Sequence, residues 1–270
     1  MFFKINSSKT ENIPVPDEPV TVCDAIAVTD KGPLRADNED TYKLIRFPPH
    51  DGILLAMVAD GMGGHNAGGT ASKMACAVVA EQLQRTLPGE GPGYAQRIGA
   101  AMSSAHEAIK KAGVKNAQQQ GMGCTFTCAV VINGMLYLGH VGDSRLYQLT
   151  DGQLKQLTED HTIVNELFKK GTITMQEKEE HAMKNVLVQA LGSNMKLVPQ
   201  LLKTGVPVQP GDRFLLCSDG VYTTLSHPEL QALMEVPDAG FALECLSALA
   251  YKRKATDNFT AVLLHFKRLP

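Results

Sequence analysis

Carboxylates recur beside glycine, serine or asparagine in four short segments of the 270-residue chain. They are Arg35-Ala36-Asp37-Asn38-Glu39-Asp40, Asp60-Gly61-Met62-Gly63-Gly64-His65, Ser218-Asp219-Gly220 and Asp257-Asn258. Two of them follow apolar runs. Residues 53–59 lead into Asp60, and residues 213–218 lead into Asp219. Such runs read as buried strands. Several carboxylates at the ends of core strands cannot all stay ionised in a low-dielectric site without a cation. Hard divalent ions such as Mg²⁺ and Mn²⁺ take oxygen ligands. The pattern points to a two-metal site assembled from strand ends. Gly61 is expected to turn the backbone sharply, so that its own carbonyl faces a metal held by Asp60.

Other chemistries fit the same residues less well. Residues 63–70 nearly match a nucleotide-binding phosphate loop, but Gly69 stands where that loop needs lysine. Asn66 replaces the last glycine of the dinucleotide pattern. Ser144 and Ser218 lack a recognisable base or nucleophile-elbow pattern. Arg35 precedes Glu39 and Asp40 by four and five positions. It either pairs with them at the surface or holds an anionic substrate, most naturally a phosphate. Gly142-Asp143-Ser144-Arg145 reads equally as a plain turn between strands or as part of a site. His65 is a general acid, a metal ligand or a solvated turn residue. At Glu159-Asp160-His161-Thr162, Asp160 or Thr162 is placed to cap a polar helix.

Positioning these groups requires both strands and helices. Residues 21–28, 41–47, 53–59, 125–132, 135–141, 145–149, 154–157, 214–217 and 259–266 read as strands. Asn133-Gly134 and Asp151-Gly152 are hairpin signals, so the middle of the chain is an antiparallel meander. Helices are predicted over residues 67–86, 95–112, 228–235 and 241–251, with polar helices over 161–184 broken at Gly171. In the second, Ile98, Met102, Ala105 and Ile109 share a stripe. The order implies an α+β fold, with helices outside paired antiparallel sheets. Residues 1–20, with Pro14, Pro16 and Pro19, read as an N-terminal arm, and 21–270 as one domain.

Composition narrows the partners. Net charge is −2 and no basic block appears, which argues against nucleic acid. Lys252-Arg253-Lys254 reads as charge at a helix C-terminus. No window suits a signal peptide or a membrane span. The six cysteines show no paired metal spacing, and Cys124 and Cys128 share one face of a strand. A cytoplasmic protein with reduced thiols is expected.

The ordered series Arg-x-x-x-Glu-Asp, Asp-Gly-Met-Gly-Gly-His, Gly-Asp-Ser-Arg, Asp-His-Thr, Ser-Asp-Gly and Asp-Asn-x-Thr resembles the type-2C metal-dependent Ser/Thr protein phosphatases. It is most similar to their compact bacterial branch, over residues 21–266. The resemblance implies a four-layer α/β/β/α sandwich of two mainly antiparallel sheets, with metals in a cleft at one end. It implies hydrolysis of phosphoserine and phosphothreonine by a metal-activated water, without a phosphoenzyme. Asp60 would bridge two Mn²⁺ or Mg²⁺ ions, and the Gly61 carbonyl would bind one of them. Asp219 and Asp257 would bind the other. Glu39 would act largely through metal-bound water, and Asp40 would orient the surrounding groups. Asp143, with Asp219, matches a weaker third-metal site, and Arg35 would grip the phosphate. Residues 161–185 match a variable flap that helps choose substrates. Phosphorylated proteins and an opposing Ser/Thr kinase are the implied partners.

The chain departs from the family at three places. Gly69 stands where Glu is usual, and Cys124 where Thr is common. Met62 occupies the position at which many animal members carry a proton-donating histidine, so the general acid is left open. Two other readings remain: a catalytically silent phosphoprotein-binding module on the same fold, and a hydrolase of small phosphate esters. Intact Asp60, Asp219 and Asp257 argue against the first. The long polar segment over 161–185 leans against the second.

Overall fold

The computed structural model describes residues 21–47, 50–63, 67–88 and 93–268. The expected arm, residues 1–20, lies outside the described residues, as does His65. The chain begins with β1 (Thr21–Asp30), β2 (Thr41–Phe47), β3 (His50–Ala59) and β4 (Gly61–Met62). Helices α1 (Ala67–Thr86) and α2 (Tyr94–Lys115) follow, then a 3₁₀ turn at Ala117–Gln119. Next come β5 (Gly123–Cys124), β6 (Phe126–Ile132), β7 (Met135–Val141), β8 (Arg145–Thr150) and β9 (Gln153–Gln156). Short helices α3 (Ile163–Lys169) and α4 (Met175–Glu180) precede β10 (Gln200–Leu201), β11 (Val206–Pro207) and β12 (Arg213–Cys217). The chain closes with α5 (Asp219–Tyr222), α6 (His227–Glu235), α7 (Ala239–Lys252) and β13 (Phe259–Arg268).

Two antiparallel sheets form the centre. One has the order β1-β13-β12-β8-β9. The other runs β10-β7-β6-β3-β2, with β11 also on β7. Alternation along each strand explains why the runs are apolar throughout. In β3, Leu54, Ala56 and Val58 face the opposite sheet, while Ile53, Leu55, Met57 and Ala59 face α1 and α2. In β12, Phe214 and Leu216 point inward, while Leu215 and Cys217 meet the α5–α7 side. Both faces are covered, so neither strand shows a polar side. The result is the expected four-layer α/β/β/α sandwich.

The helix stripe predicted for α2 is buried throughout: Ile98, Met102, Ala105 and Ile109 are all 0% exposed. The hairpin signals also hold. Asn133 and Gly134 have φ of 52° and 69°, the paired left-handed residues that a two-residue turn between twisted strands requires. All six cysteines are free, and Cys124 and Cys128 share the core beneath α1 and α2. No described helix is long and apolar enough to cross a membrane. Arg253, from the basic run after α7, forms a two-pronged pair with Glu229.

Strand register brings the candidate acids to one end of the sandwich. Thr41 pairs with Ala59, so Asp40 and Asp60 stand one step beyond the β2–β3 ladder. Cys217 pairs with Arg145, so Asp219 and Asp143 stand two steps beyond the β12–β8 ladder. Asp257 precedes β13, which pairs with β12 through Cys217 and Ala261. Five carboxylates distant in sequence therefore leave the two sheets at one edge.

Candidate metal centre

Asp60 sits between β3 and β4. Its N–H donates to Thr125 Oγ1 at 2.9 Å, and its carbonyl accepts from Thr125 N at 2.9 Å. Thr125 Oγ1 in turn lies 2.7 Å from Ser144 Oγ in the buried interior. The main chain of Asp60 is thus braced from both sheets. Burial pushes its carboxyl well above the usual range, and Asp40, Asp219, Asp143 and Asp257 push it further.

The neighbours behave alike. Asp40 is raised to about 7 by burial and by the charges of Asp219 and Asp257, against hydrogen bonds from Ser218 and Thr260. Asp143 is raised to about 8 by burial and then by Asp219. Asp219 is raised to about 6 by burial and then by Asp257. Carboxyls that push one another up in this way are a site short of positive charge.

Two atoms test whether a cation suits it. Asp40 Oδ1 and Asp219 Oδ1 are buried and have no hydrogen-bond partner. Buried carboxylate oxygens without partners are costly, and oxygen-seeking divalent ions satisfy them. The donor set is all oxygen, as Mg²⁺ or Mn²⁺ prefers. The residues fit such ions. Among the described residues, no three His, Cys, Asp or Glu side chains are gathered closely enough to hold a metal ion as they stand.

Asp257 is engaged elsewhere. Its Oδ2 is held by Arg35 Nη2 at 2.6 Å, and its Oδ1 accepts from Asn258 N at 2.8 Å. Arg35 Nε also donates to the Thr256 carbonyl at 3.0 Å. Neither a pairing of Arg35 with Glu39 nor one with Asp40 forms. Arg35 instead neutralises one of the acids expected to bind metal.

Glu39 has a different setting. Its Oε1 accepts from Gly69 N at 3.3 Å, at the first turn of α1, where free N–H groups favour a carboxylate. Its own N–H donates to Asn258 Oδ1 at 2.9 Å. Asn258 Nδ2 donates to the carbonyls of Lys31 and Asp37. This amide therefore stitches the 31–39 loop to Asp257, a role that the sequence showed only as Asp257-Asn258.

Gly61 differs from expectation. It lies in β4, paired with Cys124, and its φ is not positive. A Cβ there would meet the Gly68 carbonyl oxygen at 2.2 Å and the Glu39 carbonyl oxygen at 2.7 Å. The glycine serves close approach of α1 to the strand rather than a sharp turn. Gly61→Ala is expected to destabilise by about 1–3 kcal/mol, the range for overpacking against backbone. A thermal melt checks this, and an unchanged midpoint contradicts it.

Several residues quoted in the sequence motifs have contacts that the sequence does not show. Ser218 Oγ donates to Asp40 Oδ2 at 2.7 Å and accepts from Thr260 N, which fixes the Asp40 carboxylate. Met62 lies beside Gly123, where its Cε would stand 3.0 Å from an added Cβ. Of the two cap candidates, Asp160 and Thr162, it is Thr162 that caps α3, accepting from Asn165 N. His161 Nδ1 accepts from Gly142 N at 3.1 Å, and its ring stacks on buried His140 with centroids 4.9 Å apart. It braces the turn before Asp143.

Known proteins resemble this chain in sequence and fold. The sequence profile described as protein phosphatase 2C matches residues 36–249. The serine/threonine protein phosphatase PstP of Mycobacterium tuberculosis is 34% identical over 239 residues, 88% of this chain. The chain spans only 44% of that relative's length. The serine/threonine phosphatase stp of Listeria monocytogenes is 34% identical over 211 residues, covering 77% of this chain and 81% of that protein. A crystal structure of the PstP catalytic domain in complex with two manganese ions superposes with a TM-score of 0.79. It has 32% identity and covers 92% of this chain and 99% of the other. With the profile running from the Arg35 loop into α7, the chain belongs to the protein phosphatase 2C family.

Proposed function

We propose that the chain is a metal-dependent protein phosphatase that hydrolyses phosphoserine and phosphothreonine. The observation that carries this reading is the group of buried, mutually opposed carboxyls with partnerless oxygens at Asp40 and Asp219. Asp60, the Gly61 carbonyl, Asp219 and Asp257 would hold two core Mn²⁺ or Mg²⁺ ions. Glu39 and Asp40 would act through water, and Asp143 with Asp219 would hold a weaker third ion. When bound, such ions supply a water acidic enough to attack phosphorus near neutral pH and offset the charge on the phosphoryl oxygens.

The chain's own residues do the positioning. Ser218 holds the Asp40 carboxylate in one orientation. Thr125 holds the Asp60 main chain. Arg35, half exposed beside Asp257, presents a guanidinium fork for which a phosphate is the competing anion. Catalysis rests on Arg35, Asp60, Asp219 and Asp257. Arg35→Ala is expected to lower kcat/KM by about 1.5–3 kcal/mol, the range for hydrogen bonds to a charged group. Steady-state kinetics on a phosphopeptide checks this. An unchanged kcat/KM with a much lower melting temperature assigns Arg35 to the fold instead.

We read residues 21–270 as the single phosphatase domain. Its substrates are phosphoproteins, and its counterpart is a Ser/Thr kinase. The free, mostly buried thiols support a cytoplasmic setting. The test is phosphate release from phosphoserine, phosphothreonine and phosphotyrosine peptides and from an aryl phosphate, with Mn²⁺ or with chelator. Mn²⁺-dependent release from the first two supports the proposal. Release from the aryl ester alone favours a small-ester hydrolase. Binding of phosphopeptide without release favours the silent module.

A further inference from the structure

Tyr222 closes the short helix α5 that Asp219 opens, three positions away and on the same helix face. Its Oη donates to the Asp143 carbonyl at 3.1 Å. One helical turn therefore carries Asp219 and also fixes the main chain of Asp143. The Arg145 guanidinium lies over the Tyr222 ring, 3.6 Å from its centroid. Arg145 Nε and Nη2 donate to the two oxygens of Asp160 at 3.0 and 2.6 Å, and Nη1 donates to Tyr147 Oη at 2.9 Å. Asp160 Oδ1 also accepts from Gln156 Nε2 at 2.9 Å.

The contacts continue outward. Asn165 Nδ2, on α3, donates to the Asp160 carbonyl at 2.8 Å. Asn165 Oδ1 accepts from Lys178 Nζ, on α4, at 2.6 Å. An unbroken series thus runs from Asp219 and Asp143 to the two helices of the 160–185 segment. The Asp160 side chain is 8% exposed and that of Arg145 22%. A buried ion pair returns little stability, because desolvation offsets the attraction, and apolar residues of the same volume often serve as well. What the fork adds is geometry: a planar guanidinium held at both edges and stacked on a ring has one orientation.

We propose that Tyr222, Arg145 and Asp160 are positioning residues for the Asp143 metal position, and that they tie it to the 160–185 segment. This rests on reading the carboxylate centre as a metal site. None of the three touches reacting atoms; each acts through the placement of the Asp143 main chain. Occupancy at Asp143 and the order of α3 and α4 then rise and fall together.

The test uses the full chain, stripped of metal and titrated with Mn²⁺ in a calorimeter. Tyr222→Phe keeps the ring and its stack and removes only Oη. Arg145→Lys keeps the charge and loses the fork. In both, the tight pair of ions is expected to bind as in the wild type, while the weaker ion loses about tenfold in affinity, the lower end of the effect of outer supporting groups. Hydrogen exchange over residues 160–185, measured with Mn²⁺ present, is expected to quicken in Arg145→Lys. Wild-type affinity for the weaker ion in both variants, with lower melting temperatures, overturns the proposal and makes the series a brace for the fold. If Asp143→Ala leaves the weaker ion in place, the proposal fails while the metal reading stands. A wild-type chain that binds no Mn²⁺ overturns both.

Discussion

Asp60→Asn is expected to lower phosphopeptide turnover by at least about a thousandfold at saturating Mn²⁺, roughly 4 kcal/mol of transition-state stabilisation. Burial first, and then Asp40, Asp219, Asp143 and Asp257, push the Asp60 carboxyl upward. It is therefore the point at which their fields meet. The substitution is nearly isosteric and leaves the main-chain bonds to Thr125 in place. It also removes a buried like charge. The metal-free variant should consequently melt higher than the wild type at pH 8, while losing the stabilisation that Mn²⁺ gives. Turnover assays and melts with and without chelator check both halves. Near wild-type turnover, or a metal-free variant that melts lower, contradicts the assignment.

The metal-free protein is expected to lose stability as pH rises from about 6.5 to about 8. Asp40, Asp143 and Asp219 have folded-state values of about 7, 8 and 6 against an ordinary 3.8. These carboxyls hold more protons in the folded chain than in the unfolded one, so their contribution falls as pH rises, while buried His140, held down to about 3, works the other way below about 6.5 and leaves the carboxyls to set the slope above that. Stability from these groups is complete below about 4 and is lost as pH passes each folded value. Asp40 alone contributes on the order of 4 kcal/mol, taking about 1.4 kcal/mol for each unit of its shift. Asp40→Asn keeps an acceptor for Ser218 and removes the charge, so it should flatten the slope by about one proton. Mn²⁺ should flatten it too, by stabilising the ionised forms. Melts in chelator between about pH 6.5 and 8 measure this. A wild-type midpoint that rises with pH, or a slope unchanged in Asp40→Asn, contradicts the account.

Asp60 and Asp219 were legible in the sequence because each follows an apolar run that reads as a buried strand. Seven apolar residues before Asp60 are the length of a buried strand and short for a helix, and register then places Asp40 beside it. The hairpins were legible because Asn133-Gly134 and Asp151-Gly152 suit left-handed turns that few other residues tolerate. Elements of two residues, such as β4, β5, β10 and β11, have too little length for any period to show. The role of Gly61 was misread because close approach depends on Gly68 and Glu39, which the local sequence does not place. Arg35 was read as free for phosphate or paired with its own loop, whereas it reaches Asp257, 222 positions on. Tyr222, Arg145 and Asp160 carried no signal as a set, because their contacts cross 79 positions at the longest step. Ser218 was quoted as part of a motif, yet its bond to Asp40 spans 178 positions. Long-range polar contacts of this kind follow from topology, not from local pattern.

The central claim is that the carboxylates at this edge of the sandwich form a divalent metal centre. Anomalous scattering from crystals of the chain soaked in Mn²⁺ tests it most directly. The expected result is two strong manganese peaks, both touching Asp60, one also against the Gly61 carbonyl and the other against Asp219 and Asp257, with Arg35 withdrawn from Asp257. Peaks only at surface carboxylates, with Arg35 still on Asp257 and the oxygens of Asp40 and Asp219 still without a partner, would contradict it.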